Sequence, residues 1–192
     1  SDIELPAAAE GIVPFPEQWR GVVPANIAIG QGLAVTPLQL INATAAIVNG
    51  GRLMSPYIVK KATNSLGETV YEGSPLVLRE VLTPETAKWL RKAMRDAVVE
   101  GTGRRAETKV TRLAGKTGTA QVPEGGKYSR HRYVASFIGF WPYEEPKYLM
   151  LLVIGEPTGG RYYGGELAAP PFRAIVEEMA ELEYYAQRKG SL

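Results

Sequence analysis

The sequence predicts a mixed α/β fold of the α+β type, in which a mostly antiparallel sheet is flanked by helices. Three apolar, strand-like segments follow one another in the second half of the chain, at residues 113–122, 133–141 and 148–154. A tight turn at Glu144-Glu145-Pro146 separates the last two, so they are predicted to pair antiparallel. Three helical segments accompany these strands, and helices are the expected means of covering a sheet on both faces.

The composition is that of an ordinary globular domain with little net charge. Of the 192 residues, 45% are hydrophobic and 22% are charged, and the net charge of +2 gives no reason to expect nucleic acid as a partner. The sequence contains no cysteine, which excludes disulfides, thiolate metal sites and a cysteine nucleophile. No apolar run approaches the roughly 18 residues that span a bilayer, and no metal or cofactor is predicted.

The first half of the chain is predicted to carry one helix and a hairpin. Thr36-Pro37 combines an N-cap residue with proline at the first helical position, so a helix is predicted at 37–48. Its residues are apolar on nearly every side, and we therefore expect it to be buried. The other predicted elements are extended or looping structure at 1–35, a hairpin with strands at 57–62 and 68–71, and a short strand at 77–81.

The second half begins with the same helix-start signal, Thr83-Pro84, which predicts an amphipathic helix at 84–99. Gly101-Thr102-Gly103 ends this helix, and an exposed basic stretch is predicted at 104–112. After the three strands come a glycine-rich loop at 155–165 and a final helix at 168–185.

The most informative motif is Lys116-Thr117-Gly118-Thr119, which lies within the first of the three predicted strands. Side chains alternate along a strand, so the hydroxyls of Thr117 and Thr119 share one face while Lys116 and Gly118 share the other. An ammonium group near two hydroxyls is suited to binding an anion such as a carboxylate. Gly118 has no side chain, which would allow a ligand to approach the backbone closely.

Two other interpretations of this motif are open from the residues alone. Lys116 could be an ordinary exposed lysine on a sheet, since most lysines lie at the surface. Gly115-Lys116-Thr117 could also end a phosphate-binding loop, but that motif needs a glycine where this chain has Val110. It further needs a helix after the Lys-Thr pair, whereas residues 118–122 have a strand-like pattern. A nucleotide-binding protein is therefore the weaker hypothesis.

Motifs along nearly the whole chain occur in the order found in one family of enzymes. They are Asp2-Ile3-Glu4-Leu5-Pro6, Ile29-Gly30-Gln31-Gly32, Val35-Thr36-Pro37-Leu38-Gln39-Leu40, Lys116-Thr117-Gly118-Thr119-Ala120, Ser136-Phe137-Ile138-Gly139-Phe140, Tyr163-Gly164-Gly165 and Ala168-Ala169-Pro170-Pro171-Phe172. Through these motifs and their order, the chain resembles the C-terminal part of the transpeptidase domain of class B penicillin-binding proteins. These bacterial enzymes cross-link the cell wall during division and elongation, and the Tyr-Gly-Gly loop is closer to the division type.

The resemblance implies a β-lactamase/penicillin-binding-protein transpeptidase-like fold that is incomplete in this chain. Residues 1–192 would be the C-terminal portion of a single transpeptidase domain. The family's serine nucleophile attacks the penultimate D-alanine of a peptidoglycan stem peptide and forms an acyl-enzyme, and an amine of a second stem peptide then takes the acyl group. β-Lactams would enter the same site because they resemble the acyl-D-alanyl-D-alanine terminus.

The resemblance assigns roles to particular residues of the motifs. Lys116 would supply positive charge near the substrate carboxylate and the shuttling proton, and the backbone N–H of Thr119 would be one donor of the oxyanion hole. The implied substrate-binding residues are Thr117, Gly118, Thr119, Ala120, Gln121, Tyr163 and Gly164. Arg161 and Tyr162, in the same glycine-rich loop, are further candidates for substrate contact.

Two motifs of the family do not occur in this sequence. No serine is followed by lysine three residues later, and no Ser-x-Asn is present, so the nucleophile is expected to lie outside these residues. His131, the only histidine, is interpreted as an exposed loop residue rather than a catalytic base. We therefore expect the chain alone to be inactive in acyl transfer. A non-catalytic sensor or scaffold module with the same fold is the alternative.

The expected partners and location also follow from the resemblance. The partners are the acyl-D-Ala-D-Ala stem peptide, β-lactam antibiotics, the N-terminal remainder of the same protein and membrane-embedded cell-wall synthesis proteins. The implied location is the extracytoplasmic face of the bacterial cytoplasmic membrane, with the anchor outside this chain. Without the serine helix, one face of the sheet would be an exposed apolar surface, so the isolated chain is expected to be poorly stable or to associate.

Overall fold

The computed structural model describes residue 3, residues 9–125 and residues 127–189. The chain divides into two units, residues 1–88 and residues 89–192. Most of the acidic Leu-Pro motif at 2–6 lies outside the described residues. Among the described residues, no helix combines the length and the apolar character that crossing a bilayer requires.

The first unit contains small helices and two small antiparallel sheets. A 3-10 helix at Pro16–Gln18 precedes α1 (Val23–Ala28), and α2 spans Pro37–Val48. The strands are β1 (Arg52–Met54), β2 (Lys61–Thr63), β3 (Thr69–Glu72) and β4 (Val77–Glu80), with β1 paired to β4 and β2 paired to β3. The predicted hairpin and short strand are therefore present, with the hairpin strands shifted toward the C-terminus, whereas α1 and β1 are additional to the prediction.

The start of α2 is fixed by a reciprocal cap. The backbone N–H of Gln39 donates to Thr36 Oγ1 at 3.1 Å, and the backbone N–H of Thr36 donates to Gln39 Oε1 at 2.9 Å. The expectation that this helix is buried is wrong, because only Thr44 and Ala46 are buried among its residues. The strands of the first unit have three or four residues each, which is too short to cover a helix that is apolar nearly all round.

The second unit is built on a three-stranded antiparallel sheet. α3 (Pro84–Val99) leads through a 3-10 helix at Arg104–Ala106 into β5 (Ala114–Glu124), β6 (Lys127–Trp141) and β7 (Tyr148–Gly155), which lie side by side in chain order. α4 (Gly164–Leu167) and α5 (Ala169–Lys189) complete the unit. The predicted mixed fold with an antiparallel sheet is confirmed, although β6 begins at Lys127 rather than at residue 133.

The core of the second unit lies between α5 and one face of the sheet. Phe137 and Phe172 are fully buried, and their ring centroids are 4.6 Å apart. Trp141 meets Phe172 edge-on, with a centroid distance of 5.7 Å. On the other face Phe140 is also buried, and the guanidinium carbon of Arg91 from α3 lies 5.7 Å from its ring centroid. Side chains from helices therefore lie over both faces of the sheet.

The stretch at 104–112 is only partly exposed, contrary to the prediction. Ala106 and Thr108 are buried, and the Thr108 hydroxyl donates to Glu177 Oε1 of α5 at 2.6 Å. Arg95 of α3 donates to both carboxylate oxygens of Glu107, at 2.5 and 2.7 Å, and this pairing raises the pKa of Arg95. The basic side chains alone suggested exposure, but the small and hydroxyl side chains between them pack inward.

Replacement of Phe172 by alanine is expected to lower the free energy of unfolding by about 3–5 kcal/mol, because it removes a buried ring and leaves a cavity. Leu182→Ala is the matched control on the same helix, since Leu182 is 63% exposed. That change should alter stability by less than about 0.5 kcal/mol. Urea denaturation followed by circular dichroism measures both, and equal effects would contradict the assignment of the core.

Candidate active site

The Lys-Thr-Gly-Thr motif lies on β5, an outer strand of the three-stranded sheet. Its pairing with β6 is regular here, with Lys116 opposite Ile138 and Thr119 opposite Ala135. A phosphate-binding loop requires a helix directly after its lysine, whereas β5 continues to Glu124. The nucleotide-binding interpretation is therefore wrong.

The hydroxyl of Thr117 lies against the loop that ends α3. Thr117 Oγ1 and Thr102 Oγ1 are 2.7 Å apart and share a hydrogen bond. Thr102 belongs to the Gly101-Thr102-Gly103 segment, which the sequence indicated only as a helix stop. The fold therefore adds Thr102 to the candidate site.

The hydroxyl of Thr119 is held by the start of α4. The backbone N–H of Gly164 donates to Thr119 Oγ1 at 3.0 Å. A hydroxyl that accepts this bond keeps its own hydrogen available for a further acceptor. The structure thus brings Gly164 and Thr119 together, as expected of one site.

Lys116 lies on the face of β5 opposite to the two threonine side chains and is exposed. Its Nζ donates to the backbone oxygen of Thr117 at 2.9 Å. An ammonium group has three N–H donors, so this contact orients the charged group without exhausting its donors. The result is a positive charge at the sheet surface beside Gly118.

Two glycines of the site are closely packed within the chain, Gly164 against backbone and Gly118 against a side chain. A Cβ at Gly164 would lie 2.3 Å from the backbone oxygen of Gly118 and 2.4 Å from that of Ser136. A Cβ at Gly118 would lie 2.4 Å from Ser136 Oγ. The sequence argument attributed Gly118 to the approach of a ligand, and the structure gives an intramolecular reason as well.

Three tyrosines form a connected aromatic group beside this strand. Tyr162 stacks on Tyr133 of β6 with a centroid distance of 4.1 Å and an interplanar angle of 14°. The ring centroid of Tyr163 lies 4.5 Å from that of Tyr162, and the Tyr162 hydroxyl donates to that of Tyr163 at 3.3 Å. This hydrogen bond raises the pKa of Tyr162. The side chain of Tyr163 is 54% exposed and thus accessible to a ligand.

The remaining predicted residues lie farther along the hairpin or in the loop. Gln121 Nε2 donates to the backbone oxygen of Ser129 at 3.0 Å, so its side chain links β5 to β6. Ala120 and Arg161 are exposed. His131 is exposed as predicted, but it lies in β6 and not in a loop, because β6 extends back to Lys127. No metal-binding group of three or more His, Asp or Glu occurs in the part of the chain that the structure describes.

Comparison with known proteins identifies the family of this chain. Residues 1–177 match the family model described as the penicillin-binding protein transpeptidase domain. The chain belongs to this family. Within it, the relatives and the fold place the chain in class B, the group whose motifs it resembles.

The similar proteins are considerably longer than this chain. Stage V sporulation protein D of Bacillus subtilis is 41% identical over 178 residues, covering 92% of this chain and 27% of that protein. A probable peptidoglycan D,D-transpeptidase PenA of Neisseria gonorrhoeae is 32% identical, covering 90% of this chain and 28% of that protein. Penicillin-binding protein 3 of Mycobacterium tuberculosis, solved in complex with aztreonam, is 32% identical with a TM-score of 0.83, covering 95% of this chain and 43% of that one. The chain thus spans about a quarter of the length of these curated relatives.

Replacement of Gly164 by alanine is expected to displace the start of α4 from the strands, because the added methyl group would overlap two backbone oxygens. We expect a loss of about 1–3 kcal/mol in the free energy of unfolding. Gly155→Ala is the matched control, since a Cβ there would meet nothing within 4 Å. Thermal or urea denaturation compares the two variants, and equal stabilities would contradict the close approach.

Proposed function

We propose that this chain is the C-terminal portion of the transpeptidase domain of a penicillin-binding D,D-transpeptidase. Its contribution would be the strand that binds the acyl-D-Ala-D-Ala terminus of a stem peptide. The observation that carries the proposal is the exposed ammonium of Lys116 on an outer strand that also presents the hydrogen-bonded hydroxyls of Thr117 and Thr119. The relative named as a peptidoglycan D,D-transpeptidase and the one in complex with the β-lactam aztreonam support it.

The proposed reaction is an acyl transfer in two steps. A serine hydroxyl from outside this chain attacks the carbonyl carbon of the penultimate D-alanine, and the amide bond to the terminal D-alanine breaks. The serine proton passes to the departing amine, and an ester to the enzyme remains. An amine of a second stem peptide then attacks this ester, restoring the serine hydroxyl and forming the cross-link.

Lys116 and the two threonines would bind the carboxylate of the terminal D-alanine. Thr119 Oγ1 accepts from Gly164, so its hydrogen is available to a carboxylate oxygen. Thr117 can do the same if Thr102 is the donor in their shared hydrogen bond. Lys116 adds a positive charge, and a hydrogen bond from its ammonium group to the carboxylate would be shorter and stronger than one between neutral groups. Tyr163 and Gly164 would border the same ligand, with Arg161 and Tyr162 beside them.

The backbone N–H of Thr119 would be one donor of the oxyanion hole. A donor that is fixed before the reaction and aimed at the developing negative charge typically contributes about 3–4 kcal/mol. β5 supplies such a fixed position because it is paired along its length with β6. Gly118, Ala120 and Gln121 would then lie along an extended peptide that is added to the strand.

The same proposal implies a cellular location for the complete protein. Cross-linking of stem peptides takes place on the extracytoplasmic face of the cytoplasmic membrane, so the domain would face that side, anchored through another part of the protein. Wall-synthesis proteins of the membrane would be its partners, in division or in cell shape. A non-catalytic sensor or scaffold with this fold is the second candidate, since neither Ser-x-x-Lys nor Ser-x-Asn occurs in these residues.

We expect a fluorescent penicillin to label a serine covalently in the complete protein and to leave the isolated chain unlabelled. The nucleophile would be present only in the former. Gel fluorescence and peptide mass spectrometry identify the labelled residue. A labelled serine in the isolated chain would refute its proposed inactivity, and a complete protein without any labelled serine would favour the scaffold.

In the complete protein, Lys116→Ala is expected to slow acylation by the penicillin by about 100-fold, as loss of a fixed electrostatic group at an acyl-transfer site does. Lys147→Ala is the matched control, because Lys147 is an exposed lysine in the turn between β6 and β7. Stopped-flow or quenched labelling gives the rate constants. Acylation of Lys116→Ala at the wild-type rate would refute the assigned role.

A further inference from the structure

The segment from Glu156 to Tyr163, here called the aromatic loop, is attached to the sheet at both ends. At its start, the backbone N–H of Glu156 donates to the backbone oxygen of Tyr133 at 2.8 Å. At its end, Tyr163 is followed by Gly164, whose N–H donates to Thr119 Oγ1 at 3.0 Å. The loop therefore connects β7 to α4, and it is hydrogen-bonded to β6 at its start and adjoins the Lys-Thr-Gly-Thr motif at its end.

A bidentate ion pair reinforces the start of the loop. Arg132 Nε donates to Glu156 Oε2 at 2.9 Å, and Arg132 Nη2 donates to Glu156 Oε1 at 2.6 Å. A second carboxylate, Glu124 Oε1, lies 3.5 Å from Arg132 Nη1. The pairing lowers the pKa of Glu156 and raises that of Arg132, so both are charged near neutral pH. Two parallel hydrogen bonds fix orientation as well as distance.

The backbone at Glu156 has a conformation that is unusual for a glutamate. Glu156 has φ +47°, the one positive φ of a residue other than glycine among the described residues. A left-handed conformation is unfavourable for such a residue, because its Cβ comes too close to the following carbonyl oxygen. The ion pair is half exposed, and exposed pairs contribute little to stability. Glycine or asparagine would adopt this conformation at lower cost, but neither has a carboxylate to reach Arg132.

The ion pair and the tyrosine stack involve neighbouring residues of β6 and the same loop. Arg132 precedes Tyr133 in β6, and Glu156 begins the loop that carries Tyr162 back onto Tyr133, with ring centroids 4.1 Å apart. Tyr162 in turn contacts Tyr163, which adjoins Gly164. Fixing Arg132 to Glu156 therefore limits where the two loop tyrosines lie relative to β5.

We propose that Arg132 and Glu156 are positioning residues for ligand binding, whose ion pair holds the aromatic loop, and with it Tyr162 and Tyr163, at the required distance from the Lys-Thr-Gly-Thr strand. The inference rests on the proposed function and deepens it, because it names what sets the geometry of the tyrosine side of the site. The ligand it concerns is the acyl-D-Ala-D-Ala terminus or a β-lactam that resembles it.

The test is saturation kinetics of acylation by a fluorescent penicillin, carried out on the complete protein. Glu156→Gln is expected to raise the apparent dissociation constant of the noncovalent complex by about twofold to fivefold, since an exposed ion pair has only a small effect. The acylation step itself should be unchanged, because the pair does not touch the reacting atoms. Simple destabilisation would instead lower the fraction of protein that reacts. Glu124→Gln is the matched control and should resemble wild type, since Glu124 is the more distant partner of Arg132.

Two further variants separate charge from backbone conformation. Glu156→Asn keeps a residue that tolerates the left-handed region but has no carboxylate, and it should weaken binding as Glu156→Gln does. The double variant Arg132→Glu/Glu156→Arg restores an ion pair of reversed polarity and should regain part of the lost affinity. In a Tyr162→Ala background, Glu156→Gln should cause no further loss, because the pair acts through that ring.

The outcomes distinguish this inference from the proposed function. If the wild-type protein is not acylated at all, the proposed function fails. If the wild type is acylated and Glu156→Gln binds penicillin equally well, the positioning role is refuted and the proposed function is not. A loss that persists undiminished in the Tyr162→Ala background would also refute the role assigned to the loop.

Discussion

The candidate site depends on the antiparallel pairing of β5 with β6, which is regular from Ala114 to Gln121. A slip of one residue would exchange the two faces of the strand, so that Lys116 or Gly118, depending on the direction, would replace Thr117 beside Thr102. The register is fixed by the core, because Phe137, directly opposite Thr117, is fully buried against Phe172. The ring that stabilises the second unit thus also determines which face of the motif carries its hydroxyls.

Contact between backbones, rather than between long side chains, joins α4 to this strand. Gly164 approaches the backbone oxygens of Gly118 and Ser136 so closely that a Cβ would overlap both. The same approach brings its N–H within 3.0 Å of Thr119 Oγ1. A hydroxyl held by main chain on a paired strand has little freedom to lose when a ligand binds, which is the physical advantage of building a site on rigid elements.

Local signals in the sequence predicted much of this fold. The Thr36-Pro37 start and the apolar strands of the second unit required only neighbouring residues. β1 and the beginning of β6 could not be predicted in this way, because three-residue or polar strands form only by pairing with another strand. α1 has no side-chain cap to indicate its start. The motif was predicted to bind an anion from its residues alone, whereas Thr102 and Tyr133 join the candidate site through tertiary contacts that spacing does not reveal.

For individual atoms of the motif, too, the sequence predicts the type of chemistry but not the contacts that the fold creates. The sequence indicates that Lys116, Thr117 and Thr119 can bind an anion, but not which donors are already used. The structure shows Lys116 Nζ donating to Thr117 O and Thr119 Oγ1 accepting from Gly164. The first contact restricts the lysine side chain, and the second directs the threonine to use its hydrogen as a donor. In the proposed function, both contacts would prepare the strand for a carboxylate, since the ordering is accomplished when β5 and β6 pair and does not have to accompany ligand binding.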